Sequence, residues 1–194
     1  MSKLCRGRAC KPAHGTFLKG RIIMGFFDKL KKGLIGEEPA PKAGAELLIG
    51  AVAKGNAILM ADIPDPAFSQ GFVGFCCGIE PEDGKVFAPV DGTISQVADS
   101  LHAVGLECEG MELLVHCGVD TVEMKGQGFT MLVKEGQQVK KGDPLLTMDL
   151  EAVKAAGHPT TIITAVTNSD DFAGVAPAKT GPVQVGDDVL KVSK

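Results

Sequence analysis

The stretch Gly92-Thr-Ile-Ser-Gln-Val-Ala-Asp-Ser-Leu-His-Ala-Val-Gly-Leu-Glu-Cys-Glu-Gly-Met-Glu-Leu-Leu-Val-His-Cys117 holds three short apolar runs. Gly92–Val97, Ala103–Glu107 and Met111–His116 each read as a strand. Asp99-Ser100 and Glu109-Gly110, between them, are turn formers. The same rhythm continues outward. Further strands are expected at Glu46–Ile49, Ala57–Met60, Phe72–Ile79, Lys85–Ala88, Gly128–Val133, Pro144–Asp149, Thr160–Val166, Gly181–Val185 and Val189–Val192. Only Leu150–Ala156 reads as helix, with a turn near Pro66–Gln70. Short strands cut by Gly, Pro and Asp predict an all-β sandwich or barrel with little helix.

One motif occurs twice. Val139-x-x-Gly142-Asp143-x-Leu145-Leu146 returns as Val183-x-x-Gly186-Asp187-x-Val189-Leu190. Gly-Asp at a tight turn before an aliphatic strand reads as a hairpin, and its repetition predicts two related β-units with pseudo-symmetry.

The chain divides by composition. Residues 1–32 carry nine Lys or Arg and one Asp, whereas residues 33–194 carry eleven basic and twenty-three acidic residues. An acidic body argues against nucleic acid and suits a partner with a basic face. Residues 1–23 read as a basic, poorly structured extension. In residues 24–35, Phe26, Phe27, Leu30, Leu34 and Ile35 recur at rough helical spacing among Lys29, Lys31 and Lys32. That segment suits an anionic membrane surface. Residues 36–44 read as a linker, leaving 45–194 as the β-domain. No run of 18 apolar residues predicts a membrane span. Six cysteines without a secretory leader predict a reducing, cytoplasmic setting. Cys5, Cys10 and His14 lack a fourth ligand and a Cys-x2-Cys knuckle, so no metal is assigned there.

The chemistry concentrates at two of the four histidines, His102 and His116. They fall where two neighbouring strands are expected to bring them together. Alternation along Met111–His116 sets Leu114 and His116 on one face, with Leu113 and Val115 on the other. Ser100, two residues before His102, points the same way in an extended segment and is placed to fix the imidazole tautomer. Three chemistries fit such a pair: phosphoryl transfer through a neutral imidazole, zinc binding with Asp120 or Glu123, and general base catalysis. No Walker loop or dinucleotide fingerprint is present, so no nucleotide cofactor is expected.

The stretches Phe87-Ala-Pro-Val-Asp-Gly-Thr-Ile94 and Glu112-Leu-Leu-Val-His-Cys-Gly-Val-Asp-Thr-Val-Glu-Met-Lys-Gly-Gln-Gly-Phe129, with His102-Ala103 between them, closely resemble a known family. It is the glucose-type enzyme IIA of the bacterial phosphoenolpyruvate-dependent sugar phosphotransferase system. Ile63-Pro-Asp65, Phe68, Glu135-Gly-Gln-Gln-Val139, Gly142-Asp143 and Asp149-Leu150 extend the likeness, and Gly25–Lys31 resembles a membrane-touching leader of some members. The resemblance implies an antiparallel β-sandwich with internal duplication. It implies that His116 accepts a phosphoryl group on Nε2 from the carrier HPr and passes it to the IIB domain of a sugar permease. His102 would stabilise the phosphoryl group, and Ser100, in place of a threonine, would orient His102. Gly118 and Asp120 would help hold the anion. Ala67, Phe68, Phe72, Val73, Ala98, Leu114 and Val122 would form the docking face. No resident cofactor or metal is implied, and the absence of a IIB or IIC segment suggests a free-standing shuttle. Three positions depart from the family pattern: Leu101 where Asn is usual, Gly74-Phe75-Cys76-Cys77 where Gly-Asp-Gly follows the valine, and Ala51-Val52-Ala53-Lys54-Gly55.

Two competing readings remain. Val133–Leu145 and Glu151-Ala152-Val153-Lys154 resemble a biotinyl or lipoyl carrier, in which Lys154 would be acylated in a hairpin. A zinc-dependent hydrolase on a β-sandwich would need a third ligand at a spacing the sequence lacks.

Overall fold

Glycine, proline and acidic residues stop nearly every run in this chain after three to seven residues, and strands of that length need neighbours to bury a face. The computed structural model describes residues 46–194; the expectations for 1–23, 24–35 and 36–44 lie outside them. The described chain forms fourteen strands: β1 (Glu46–Gly50), β2 (Gly55–Leu59), β3 (Phe75–Pro81), β4 (Lys85–Phe87), β5 (Gly92–Val97), β6 (Ala103–Cys108), β7 (Met111–Cys117), β8 (Phe129–Met131), β9 (Gln138–Val139), β10 (Pro144–Met148), β11 (Ile162–Val166), β12 (Gly174–Pro177), β13 (Gly181–Val183) and β14 (Asp188–Ser193). Two short helices complete it, α1 (Pro66–Ser69) and α2 (Leu150–Ala155), with 3₁₀ turns at Met60–Asp62, Thr121–Met124 and Ser169–Asp171.

An eight-stranded antiparallel sheet, ordered β13-β2-β3-β11-β7-β6-β5-β9, accompanies two three-stranded sheets, β1-β14-β12 and β4-β10-β8. The orders reveal a nested duplication. Gly55 pairs with Val183 as Gly92 pairs with Val139. Ala51 exchanges bonds with Gly186 and Asp187 (2.9 and 2.7 Å), as Ala88 does with Gly142 and Asp143 (2.9 and 2.8 Å). The unit β4–β10 lies in sequence between β3 and β11 of the other unit, and the two halves of the large sheet meet where β7 pairs with β11.

The repeated Gly-Asp motif therefore marks the duplication, but it is not a hairpin. β9 pairs with β5 while β10 pairs with β4 and β8; β13 pairs with β2 while β14 pairs with β1 and β12. Each turn carries the chain from one sheet to another. Gly142 and Gly186 supply the left-handed residue, with φ of 91° and 86°. Asp143 and Asp187 close each turn through a carboxylate that accepts a backbone N–H, from Lys140 (2.8 Å) and Gln184 (3.1 Å).

Two apolar clusters cover the two faces of the large sheet. Leu106, Leu113, Val115, Cys117, Leu146 and Leu190 belong to the main core. Phe68, Cys76, Ala98, Ala103, Leu114, Ile163 and Ala165 form the second, smaller one. The alternation expected along Met111–His116 is present, with Leu114 in one cluster and Leu113 and Val115 in the other. Each fully buried leucine contributes about 2 kcal/mol. β11 is buried throughout because both of its faces are covered. The strand expected from Phe72 begins instead at Phe75, because Gly71–Gly74 form a turn closed by a 3.1 Å bond and Gly74 has φ of 100°. Strands β9 and β12 were not expected from the sequence; they are two and four residues long and carry weak patterns.

Candidate active site

β6 and β7 are antiparallel neighbours, and Ala103 pairs with His116. His102 therefore stands just before β6, beside the ring of His116 near the end of β7. The two imidazoles meet edge to face, with centroids 4.8 Å apart and planes at 85°. Phe68, on α1, packs on His116 from another side at 5.3 Å. Asp65 caps α1 by accepting the N–H groups of Ala67 (2.6 Å) and Phe68 (3.3 Å), which fixes where that ring sits.

The tautomer of His116 follows from its partner. Nδ1 lies 2.8 Å from the carbonyl oxygen of Gly118. A carbonyl only accepts, so Nδ1 carries the hydrogen and Nε2 keeps its lone pair. Gly118 has φ of 78° and its N–H donates to Thr161 O at 3.0 Å. Val119 N–H donates to Pro159 O (3.1 Å), and the buried Thr121 hydroxyl donates to Cys117 O (2.6 Å). These bonds hold the turn, so the carbonyl that orients His116 is itself fixed. Asp120 is exposed, with φ of 58°, and starts the following 3₁₀ turn without a side-chain cap bond.

The second ring is held differently. Ser100 Oγ lies 2.8 Å from His102 Nδ1, as the sequence led us to expect. The expected reason does not hold. Ser100 to His102 is no extended segment but part of the turn between β5 and β6, with Leu101 at φ of 55°. Reversal of the chain, not strand periodicity, brings the hydroxyl to the ring.

Both rings are held neutral at pH 7. His102 is only 8% exposed, and burial first, then the adjacent His116, push its pKa well below the ordinary imidazole value. Burial also pushes His116 down, while its bond to Gly118 opposes the shift. A depressed histidine pKa means that the unfolded chain binds protons more readily. The stability involved is fully present above about pH 6.5 and falls as pH drops below it, by about 1.4 kcal/mol per pH unit for each ring. Urea unfolding at pH 7 and pH 5 checks this. His102→Gln should lose less stability on acidification than the parent, and an equal loss in both would contradict the arrangement.

Cysteines near the pair do not compete with it. Cys117 follows His116 but points into the main core, and burial raises its thiol pKa strongly. Burial likewise lifts Cys76 and Cys77 to about 12. Among the described residues no group of three or more His, Cys, Asp and Glu is arranged to hold a metal ion, and Asp120 and Glu123 do not complete such a set around the two histidines.

Of the residues expected to form a docking face, Phe72 is 78% exposed, and Ala67, Val73 and Val122 are partly exposed. Phe68, Ala98 and Leu114 are buried in the second cluster. They form the floor beneath the rings rather than surface. Alternation identified the face of Leu114 but not the layer above it, which α1 and the Gly71–Gly74 turn supply.

Residues 47–172, which contain every residue of the site, match the family model described as phosphoenolpyruvate-dependent sugar phosphotransferase system, EIIA 1. The chain belongs to the glucose-type enzyme IIA family. It is 36% identical over 172 residues to the glucose-specific EIIA component of Haemophilus influenzae, covering 88% of this chain and 99% of that one. It is 37% identical over 172 residues to the beta-glucoside-specific EIIBCA component of Bacillus subtilis, where the match covers 88% of this chain but only 28% of that larger protein. The fold is similar to glucose permease IIA from Mycoplasma capricolum, with a TM-score of 0.67 and 30% identity, covering 76% of this chain and 96% of that one. This enzyme IIA chain is thus a component of the phosphotransferase system, on an antiparallel β-sandwich.

The carrier reading built on Lys154 does not survive. Lys154 lies in the last turn of helix α2, paired with Glu151 at 3.2 Å, not at a hairpin tip. Sequence reasoning also missed the supports of the Gly118 turn, Thr121 and the Pro159–Thr161 carbonyls. The one sequence signal for them was the spacing of Gly118 and Asp120, two residue types that accept left-handed backbone.

Proposed function

We propose that this enzyme IIA accepts a phosphoryl group on His116 Nε2 from phospho-HPr and passes it to the IIB domain of a sugar permease. The observation that carries the reading is the bond from His116 Nδ1 to the Gly118 carbonyl, which leaves the Nε2 lone pair free beside His102. That lone pair attacks phosphorus while the N–P bond to the donor histidine breaks and its electron pair stays with the donor. The hydrogen on Nδ1 remains, and the Gly118 carbonyl faces the positive charge that the ring gains. With Ser100 donating to Nδ1 of His102, Nε2 of His102 carries a hydrogen for the phosphoryl oxygens. On the adjoining turn, Gly118 acts through His116, since its own N–H is given to Thr161 O, and Asp120 completes the cradle through its backbone. Transfer to a IIB cysteine repeats the displacement, with a thiolate as nucleophile.

Phe72, Ala67, Val73 and Val122 provide the apolar surface beside the pair, over the buried Phe68, Ala98 and Leu114. The acidic body around it suits a basic partner. A IIB domain as acceptor accords with the fusion of this unit to B and C components in the Bacillus relative. The setting is cytoplasmic, with residues 24–35 touching the membrane. Among the described residues no helix is long and apolar enough to cross a membrane.

The test is reconstitution with phosphoenolpyruvate, the general phosphotransferase enzyme and HPr. The chain should gain one acid-labile, base-stable phosphate, and no such label would end the proposal. His102→Gln should still accept phosphate from phospho-HPr but pass it to IIB about 10²-fold more slowly, because one stabilising donor is misplaced. Rapid-quench measurement of both half-reactions checks this, and undiminished transfer to IIB would remove the role given to His102.

A further inference from the structure

Among the described residues four besides glycine have positive φ: Leu101, Glu109, Asp120 and Lys125. Glu109 and Lys125 each stand before a glycine in a turn, and Asp120 is of a type enriched in this region. Leu101 is the outlier, because a bulky side chain at φ of 55° crowds its own backbone. Such a residue persists only where its surroundings over-determine it.

Its surroundings do so. Leu101 N–H donates to Ala98 O at 2.8 Å, and Ala98 N–H donates to Ala103 O at 3.0 Å, closing the turn between β5 and β6. The Leu101 side chain is partly buried against the main core. It also faces Gly126, where an added Cβ would lie 3.8 Å from Leu101 Cδ1. Gly126 belongs to the run of tight turns that leads from Asp120 to Phe129. On either side of Leu101 stand the hydroxyl and the ring that meet at 2.8 Å, Ser100 and His102. The His102 carbonyl in turn accepts the N–H of Cys117, next to His116, at 2.8 Å.

We propose that Leu101 is a positioning residue: wedged between the core and Gly126, it holds the turn in which Ser100 fixes the ring of His102. This ties the Asp120–Phe129 segment to the ring beside His116. The proposal rests on the phosphoryl-transfer reading of the pair, but its structural half does not need that reading.

Two variants separate the wedge from the strain. Leu101→Gly accepts positive φ freely and removes the wedge; Leu101→Met keeps a long apolar side chain. The measurements are the melting temperature, the two-bond proton–nitrogen spectrum of His102, the affinity for HPr, and the single-turnover rate from phospho-HPr to IIB. The glycine variant should melt within about 5 °C of the parent, since relieved strain offsets lost packing. Its His102 ring nitrogens should shift toward the average of two tautomers. HPr affinity should hold while the transfer rate falls about tenfold, equivalent to about 1.4 kcal/mol of barrier. The methionine variant should restore both the spectrum and the rate. An unchanged His102 spectrum in Leu101→Gly, or no recovery in Leu101→Met, would overturn the proposal. Failure of the phosphoryl-transfer reading would show separately, as a parent protein that takes no label.

Discussion

His116→Ala should take up no phosphoryl group from phosphoenolpyruvate in the presence of the general enzyme and HPr. The expected loss is at least about 10⁴-fold, or about 5.5 kcal/mol of barrier. No neighbour is placed to substitute. Cys117 faces the main core with its pKa raised, and Cys76 and Cys77 are buried thiols. His102 remains, but it is 8% exposed and, with Ser100 donating to Nδ1, its Nε2 carries a hydrogen and has no lone pair for phosphorus. Full labelling of His116→Ala, followed by quantitation of acid-labile phosphate, would remove His116 from the proposed role.

Gly118→Ala should damage the site while leaving every functional side chain in place. Gly118 has φ of 78°, which costs an alanine about 1–2 kcal/mol. Its Cβ would collide with Thr121 Cγ2 and stand 3.0 Å from Pro159 O. Neither neighbour can withdraw freely, because Thr121 Oγ1 is bonded to Cys117 O and Pro159 O to Val119 N. Strain and collision together should lower stability by about 2–4 kcal/mol. The Gly118 carbonyl that holds His116 Nδ1 would move, so phosphoryl acceptance should fall even at temperatures where the variant stays folded. Denaturant unfolding and the labelling rate at 15 °C check the two halves. A variant with parental stability and rate would show that the turn is not the support described here.

How much of this was legible beforehand depended on the length of each signal. The run Met111–His116 alternates over six residues, so its faces could be assigned from sequence, and Leu114 and Leu113 lie in the two clusters expected. The repeat at Gly142-Asp143 and Gly186-Asp187 correctly marked a duplication, because identical turns bind equivalent alanines, Ala88 and Ala51. Its hairpin reading failed because a turn's sequence specifies local backbone and not which sheet takes the next strand. The bond from Ser100 to His102 was expected for the wrong reason: the turn that brings them together passes through Leu101 at φ of 55°, a conformation that leucine's own backbone preference does not indicate. Docking residues were least legible. Phe68, Ala98 and Leu114 are apolar in sequence just as Phe72 is, and only the placement of α1 over the sheet separates buried floor from exposed rim.

The central claim, that Nε2 of His116 is the atom that carries phosphate, can be measured directly. The protein would be labelled with ¹⁵N in histidine, phosphorylated through HPr, and observed at alkaline pH by long-range proton–nitrogen correlation and phosphorus spectra. The bond from Nδ1 to the Gly118 carbonyl predicts one new phosphorus signal coupled to Nε2 of His116, with Nδ1 still protonated and His102 unmodified. Phosphorus coupled to Nδ1 of His116, or to either nitrogen of His102, would contradict the account.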